Sequence, residues 1–139
     1  MCGILGGWLT SSGRIDRAVT QLKHRGPDDQ GVFYDEASGV CLGHTRLSIQ
    51  DTSERGHQPM LSSDGKVVIV FNGEIYNFRE LRRQLKNRGC EFNSRSDTEV
   101  LLHLYYVFGE KMMGKLVGIF AFVIWDSRKQ ELFATRDEF

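Results

Sequence analysis

The run Lys66–Phe71, KVVIVF, constrains this chain more than any other stretch. It does not alternate apolar and polar residues. β-Branched side chains favour a strand, and a continuous apolar run marks one buried on both faces. Such a strand needs a layer above it and a layer below it. Together with separate helical segments, this suggests layers rather than a single half-exposed sheet.

The rest of the chain supplies material for those layers. CGILGGWL is a short apolar run with glycines, read as a strand with close backbone neighbours. IDRAVTQLKHR sets Ile15, Val19 and Leu22 at helical spacing, and RGPDDQG is turn chemistry. GVFYD and GVCLGHTRLSI read as two strands joined through EASG. QDTSERGHQPMLSSDG reads as a long polar loop. NFRELRRQLKNRG reads as a helix, with Asn77 as N-cap, Glu80 three positions on, Phe78, Leu81 and Leu85 on one face, and Gly89 as the stop. SRSDTEVLLHLYYVFG reads as another, opened by a Ser96–Glu99 capping box. Its buried stripe is Val100, Leu101, Leu104 and Phe108, and Asp97 falls in the first turn, where the helix dipole favours a carboxylate. GIFAFVIWD and ELFATRD close the chain as two strands. The sum is about six strands and three helices in one mixed domain.

Composition narrows the function classes. Eighteen basic and 18 acidic residues cancel, which gives no pointer to nucleic acid or a membrane surface. No run approaches the ~18 apolar residues of a membrane span, and the N-terminus lacks the pattern of a signal peptide. Three widely spaced cysteines, Cys2, Cys41 and Cys90, suit free thiols in a reducing cytoplasm.

Two short features carry alternative readings. Cys2 is either a small buried residue at the start of a strand or, once Met1 is removed, a thiol and a free α-amine on one carbon. Gly3 would then let the backbone bend around the reacting end. Asn72-Gly73 is the strongest short hairpin signal, yet a helix follows it, which places the pair in a strand-to-helix passage. Other features are set aside. GEKMMGKL has Leu116 where a phosphate-binding loop needs Ser or Thr, and a helix precedes it. His24, His44, His57 and His103 are scattered and read as loop or core histidines. The basic face of Arg79, Arg82, Arg83 and Lys86 reads as solvated surface.

Eight blocks remain in order: CGI, HRGPDDQG (His24–Gly31), HTRLSIQD (His44–Asp51), QPM (Gln58–Met60), FNGEIYNFRELR (Phe71–Arg82), SDTEVLL (Ser96–Leu102), GIFAFVIWD (Gly118–Asp126) and LFATRD (Leu132–Asp137). In this order they resemble the N-terminal glutaminase domain of the asparagine synthetases, a class II glutamine amidotransferase, over nearly the whole chain. The resemblance implies an α+β fold of the N-terminal nucleophile hydrolase type, a four-layer αββα sandwich with two mostly antiparallel sheets. It implies that Cys2 is nucleophile and, through its amine, base. It assigns Asn72 and Gly73 to an oxyanion hole, Arg46 to the glutamine α-carboxylate and Asp97 to the α-ammonium. The stretch Arg46, Leu47, Ser48, Ile49 and Gln50, together with Glu74, would line the pocket.

These assignments fit elementary chemistry. A thiolate attacks an unreactive amide well, an amine can move the proton, and paired donors can hold the developing oxyanion. An Arg fork and an Asp carboxylate suit the two charged ends of a free amino acid. No cofactor is implied for this domain. ATP and magnesium would serve only a C-terminal synthetase domain, the ammonia acceptor, which residues 1–139 do not include, so the chain reads as a truncated glutaminase domain. The implied partners are L-glutamine and a synthetase domain or subunit, with room for a homodimer, in the cytoplasm. A non-catalytic glutamine-binding or docking module of a related amidotransferase, acting on another acceptor, is the alternative.

Overall fold

The computed structural model describes residues 2–9, 12–48 and 54–138. In chain order the elements are β1 (Gly3–Trp8), α1 (Gly13–Gln21), β2 (Asp29–Tyr34), β3 (Val40–Arg46), β4 (Met60–Leu61), β5 (Val67–Ile75), α2 (Phe78–Asn87), α3 (Asp97–Phe108), β6 (Gly118–Asp126) and β7 (Glu131–Arg136). Short 3-10 turns cover Lys23–Arg25, Glu54–Gly56 and Gly109–Lys115.

The strands form two sheets, ordered β1-β3-β2 and β4-β5-β6-β7, with every described pairing antiparallel. β5 is the central slab that its composition demands. Val68 and Val70 pack with Val40 and Leu42 of β3 and Trp125 of β6, between the sheets. Val67, Ile69 and Phe71 pack on the other side with Leu81 and Leu85 of α2 and Val100, Leu101 and Leu104 of α3. α1 closes the outer face of the first sheet with Ile15 and Val19 against Cys41. The result is the expected αββα sandwich, each fully buried aliphatic side chain contributing about 1.5–3 kcal/mol.

Several expectations are corrected. Asn72-Gly73 is neither a hairpin turn nor the strand-to-helix passage. β5 runs through it to Ile75, because nine-residue β6 pairs along the whole length from Val67↔Asp126 to Ile75↔Gly118. The long polar loop contains a strand, β4, whose Met60 and Leu61 pair with Ile69 and Val68, so there are seven strands among the described residues. β2 begins inside the turn motif, at Asp29.

The capping predictions also change. Asn77 does not cap α2 with its side chain. Its Nδ2 donates to the Lys115 carbonyl (2.8 Å) and its Oδ1 accepts from the Val117 N–H (3.1 Å), which ties α2 to the approach to β6. Ser96 does cap α3, its Oγ accepting from the Glu99 N–H. Glu99, however, accepts from the Asn93 and Ser94 N–H groups, both at 2.7 Å, and from the Ser94 hydroxyl. Half the capping box forms, and the other half braces the loop before the helix. Arg82 is not solvated surface. It donates to the carbonyls of Ser94 (2.8 Å) and Ser96 (3.0 Å) and lies 4.4 Å over the Phe92 ring.

Candidate active site

Three rows of side chains lead out of the inter-sheet core in the same direction. Alternate residues of a strand share a face. Val68 and Val70 face the first sheet, so Asn72 continues their row. Val40 and Leu42 face the second sheet, so His44 and Arg46 continue theirs. Ile4 packs in the same layer, which puts Cys2 on its side of β1. Apolar residues therefore pin each row in the core, and polar residues emerge where the core ends.

They emerge into one cavity of about 270 Å³. It is lined by Cys2, Arg46, Leu47, Asn72, Gly73, Glu74 and Asp97, with further walls from Phe71, Tyr76, Ser96, Thr98, Gly56, Gln58 and Ile119. Seven of the ten residues assigned from the resemblance are thus brought together. Ser48 does not line the cavity; its N–H is held by the Asp28 carboxylate at 2.8 Å. Ile49 and Gln50 lie outside the described residues.

Each group is placed by local necessity. Cys2 Sγ accepts the Leu47 N–H at 3.4 Å, which fixes the sulfur beside β3. Gly3 is needed for closeness rather than for a bend. Its N–H donates to Thr45 Oγ1 (3.1 Å), and an added Cβ would stand 2.6 Å from that same oxygen. The HRGPDDQG segment is a brace for this wall. A Cβ on Gly26 would meet the Arg46 backbone at 2.5 Å, Asp28 donates its N–H to the Arg46 carbonyl (3.0 Å), and Asp29 holds His57 Nδ1 at 2.6 Å.

Gly73 is set by the pleat. Successive N–H groups of a strand alternate between its edges. Phe71 N–H goes to Gln58 Oε1 (2.7 Å) and Ile75 N–H to Asp97 Oδ2 (3.1 Å), both away from β6. Gly73 lies midway, so its N–H takes the same edge, toward the cavity. The facing Phe120 spends its own N–H and carbonyl on Asp137. The φ of Gly73 is +146°, and an added Cβ would collide with the Ile119 carbonyl and stand 2.6 Å from Phe120 Cα. Only glycine serves here.

Two charged side chains are sunk into the wall, Arg46 at 8% exposure and Asp97 at 6%. Burial pushes the Asp97 carboxyl up, the Ile75 N–H and the N–H groups of its own helix turn pull it down, and the negative charge of Glu74 adds to the rise. Sequence reasoning missed Gln58 and Thr98 as wall residues. The signal was present in the QPM block and in the hydroxyl directly after Asp97, but neither residue type announces a buried hydrogen bond.

The two antiparallel sheets between helices have a fold of the N-terminal nucleophile hydrolase type. Its fold matches glutamine phosphoribosylpyrophosphate amidotransferase from Bacillus subtilis, in complex with ADP and GMP, with a TM-score of 0.80 over 99% of this chain and 37% of that one, at 24% identity. The chain belongs to the glutamine amidotransferase domain family, which matches residues 1–139. It is 43% identical over 147 residues to asparagine synthetase [glutamine-hydrolyzing] 1 of Bacillus subtilis (strain 168), covering 100% of this chain and 23% of that protein. The asparagine synthetase [glutamine-hydrolyzing] of Zea mays is 41% identical over 143 residues (99% and 24%), and amidase chry2 of Gibberella zeae is 38% identical over 125 residues (90% and 18%). The chain thus spans less than a quarter of the length of these relatives.

Proposed function

We propose that this domain hydrolyses L-glutamine to glutamate and ammonia through a thioester on Cys2, after removal of Met1. The observation that carries the reading is the meeting, in one cavity, of a sulfur, an Asn-Gly donor pair and a buried Arg and Asp.

Arg46 takes the α-carboxylate and Asp97 the α-ammonium, so a free amino acid is selected. The Cys2 amine removes the thiol proton, through a water because the two groups share a carbon. The S–C bond forms, and charge moves to the amide oxygen, held by the Asn72 side chain and the Gly73 N–H. The C–N bond breaks as the ammonium of Cys2 returns its proton, and ammonia leaves. Water, giving a proton to the Cys2 amine, then attacks the thioester; the S–C bond breaks as that proton returns to the sulfur, and glutamate is released.

The likeness to glutamine-hydrolysing asparagine synthetases supports an acceptor step. The ammonia is consumed in an ATP-dependent conversion of aspartate to asparagine, outside residues 1–139, and ATP and magnesium belong to that step. Three free thiols suit the cytoplasm.

The test is ammonia release from glutamine, with intact mass recorded on the same sample. Cys2→Ala should abolish release while glutamine still raises the melting temperature. Release that persists in Cys2→Ala, or that is supported by protein retaining Met1, overturns the mechanism.

A further inference from the structure

We propose that Gln58 is a positioning residue that fits the site to the length of the glutamine side chain; the proposal rests on the glutaminase reading above. Gln58 is 5% exposed, and both ends of its amide are used. Oε1 accepts from the Phe71 N–H (2.7 Å) and Nε2 donates to Thr98 Oγ1 (3.2 Å). Phe71 directly precedes the oxyanion pair, and Thr98 directly follows Asp97.

The bridge has a partner. Asp97 itself accepts the Ile75 N–H at 3.1 Å. The open edge of β5 is therefore fastened to the start of α3 on both sides of Asn72-Gly73, by Gln58 at Phe71 and by Asp97 at Ile75. The main chain of Gln58 has a third contact. A Cβ on Gly31 of β2 would collide with the Gln58 carbonyl, so this segment is pressed on the sheet that carries Cys2 and Arg46. One residue thus references the oxyanion donors to the amino-acid clamp and to the nucleophile's sheet.

That span decides which amide is cut. With the charged end of the substrate clamped, the amide carbon reaches the sulfur only if the chain has the right number of methylenes. Asparagine has one fewer. Misplacement by about 1 Å at a reacting centre can cost about 10²-fold. A loosened bridge should slow glutamine hydrolysis and narrow the preference for glutamine.

The experiment measures kcat and KM for glutamine and for asparagine in the full chain. Gln58→Met, which keeps the volume and removes both hydrogen bonds, and Thr98→Val, which removes one, should each lower kcat for glutamine about tenfold and reduce the glutamine-to-asparagine ratio. Thr98→Ser should restore the wild-type ratio, and the double variant should be no worse than Gln58→Met alone. A lowered melting temperature with an unchanged ratio in Thr98→Val would show a merely structural role and overturn the proposal, and that variant decides if Gln58→Met fails to fold. Wild-type protein that releases no ammonia from glutamine, beside an equally silent Cys2→Ala control, would bring down the glutaminase reading and the bridge with it.

Discussion

Asp97 shows what burial asks of a single charged residue. A carboxylate in the first turn of a helix was legible in the sequence, because the dipole favours it there. Its burial was not, because burial comes from the loop and strand folded over it. Burial raises its pKa, which means that the fold bears a cost whenever the group is ionised. On the proposed reading, the ammonium of glutamine would supply a counter-charge. Asp97→Asn keeps an acceptor for the Ile75 N–H and removes the buried charge. It should leave the melting temperature equal or higher at pH 7, while kcat/KM for glutamine falls about 10–100-fold, the loss of a charge-assisted hydrogen bond. The sign with pH follows. As pH falls through the raised pKa, Asp97 protonates, the stability advantage of the Asn variant shrinks, and wild-type KM for glutamine rises. A KM flat down to the ordinary carboxylate range would remove Asp97 from ammonium binding.

At the scale of elements, the helices and most strands were readable because each carries its period or its run in its own residues. What failed was whatever depends on a partner. Asn72-Gly73 has the local chemistry of a turn, but nine-residue β6 keeps it in the sheet. Asn77 has the chemistry of a cap, but the Lys115 and Val117 backbone needs it more. Arg82 sits among basic residues on a polar helix face, yet the bend between α2 and α3 brings two carbonyls under its guanidinium. That fork makes α2 a brace for the loop that leads through Ser96 into Asp97 at the start of α3. Arg82→Met should cost about 2 kcal/mol in urea unfolding, because two charge-assisted hydrogen bonds and the stack on Phe92 are lost. KM for glutamine should rise with it. Arg82→Lys should recover only part of either effect, since an ammonium cannot match two carbonyls with a planar fork. Full recovery by Lys would mean that the charge, not the fork, holds the loop.

A stacking of layers was implied by the doubly apolar run of β5, and their number by the resemblance, but the junction of the two sheets was not, because which strand faces which is written in no single segment. His44 lies at that junction, continuing the Val40–Leu42 row between the sheets. Burial lowers its pKa to about 4; the charges of Arg46 and His57 act in the same direction, and the Phe71 backbone and Asp29 oppose it. The folded state therefore holds a neutral imidazole, while the unfolded chain takes up a proton near ~6.5. Stability from this group is complete above the unfolded value and is lost as pH falls from about 6.5 toward 4, by roughly 3 kcal/mol in all. Carboxylates titrate in the lower part of the same window, so the wild type alone cannot assign the loss. The comparison that does is the unfolding free energy of His44→Gln beside wild type at pH 7, 5.5 and 4.5, since glutamine binds no proton in this range. Wild type should lose more stability than the variant at each step down. Parallel curves would show that the sheet junction admits a charged imidazole, and that the row leading to Arg46 is open to water well inside the core.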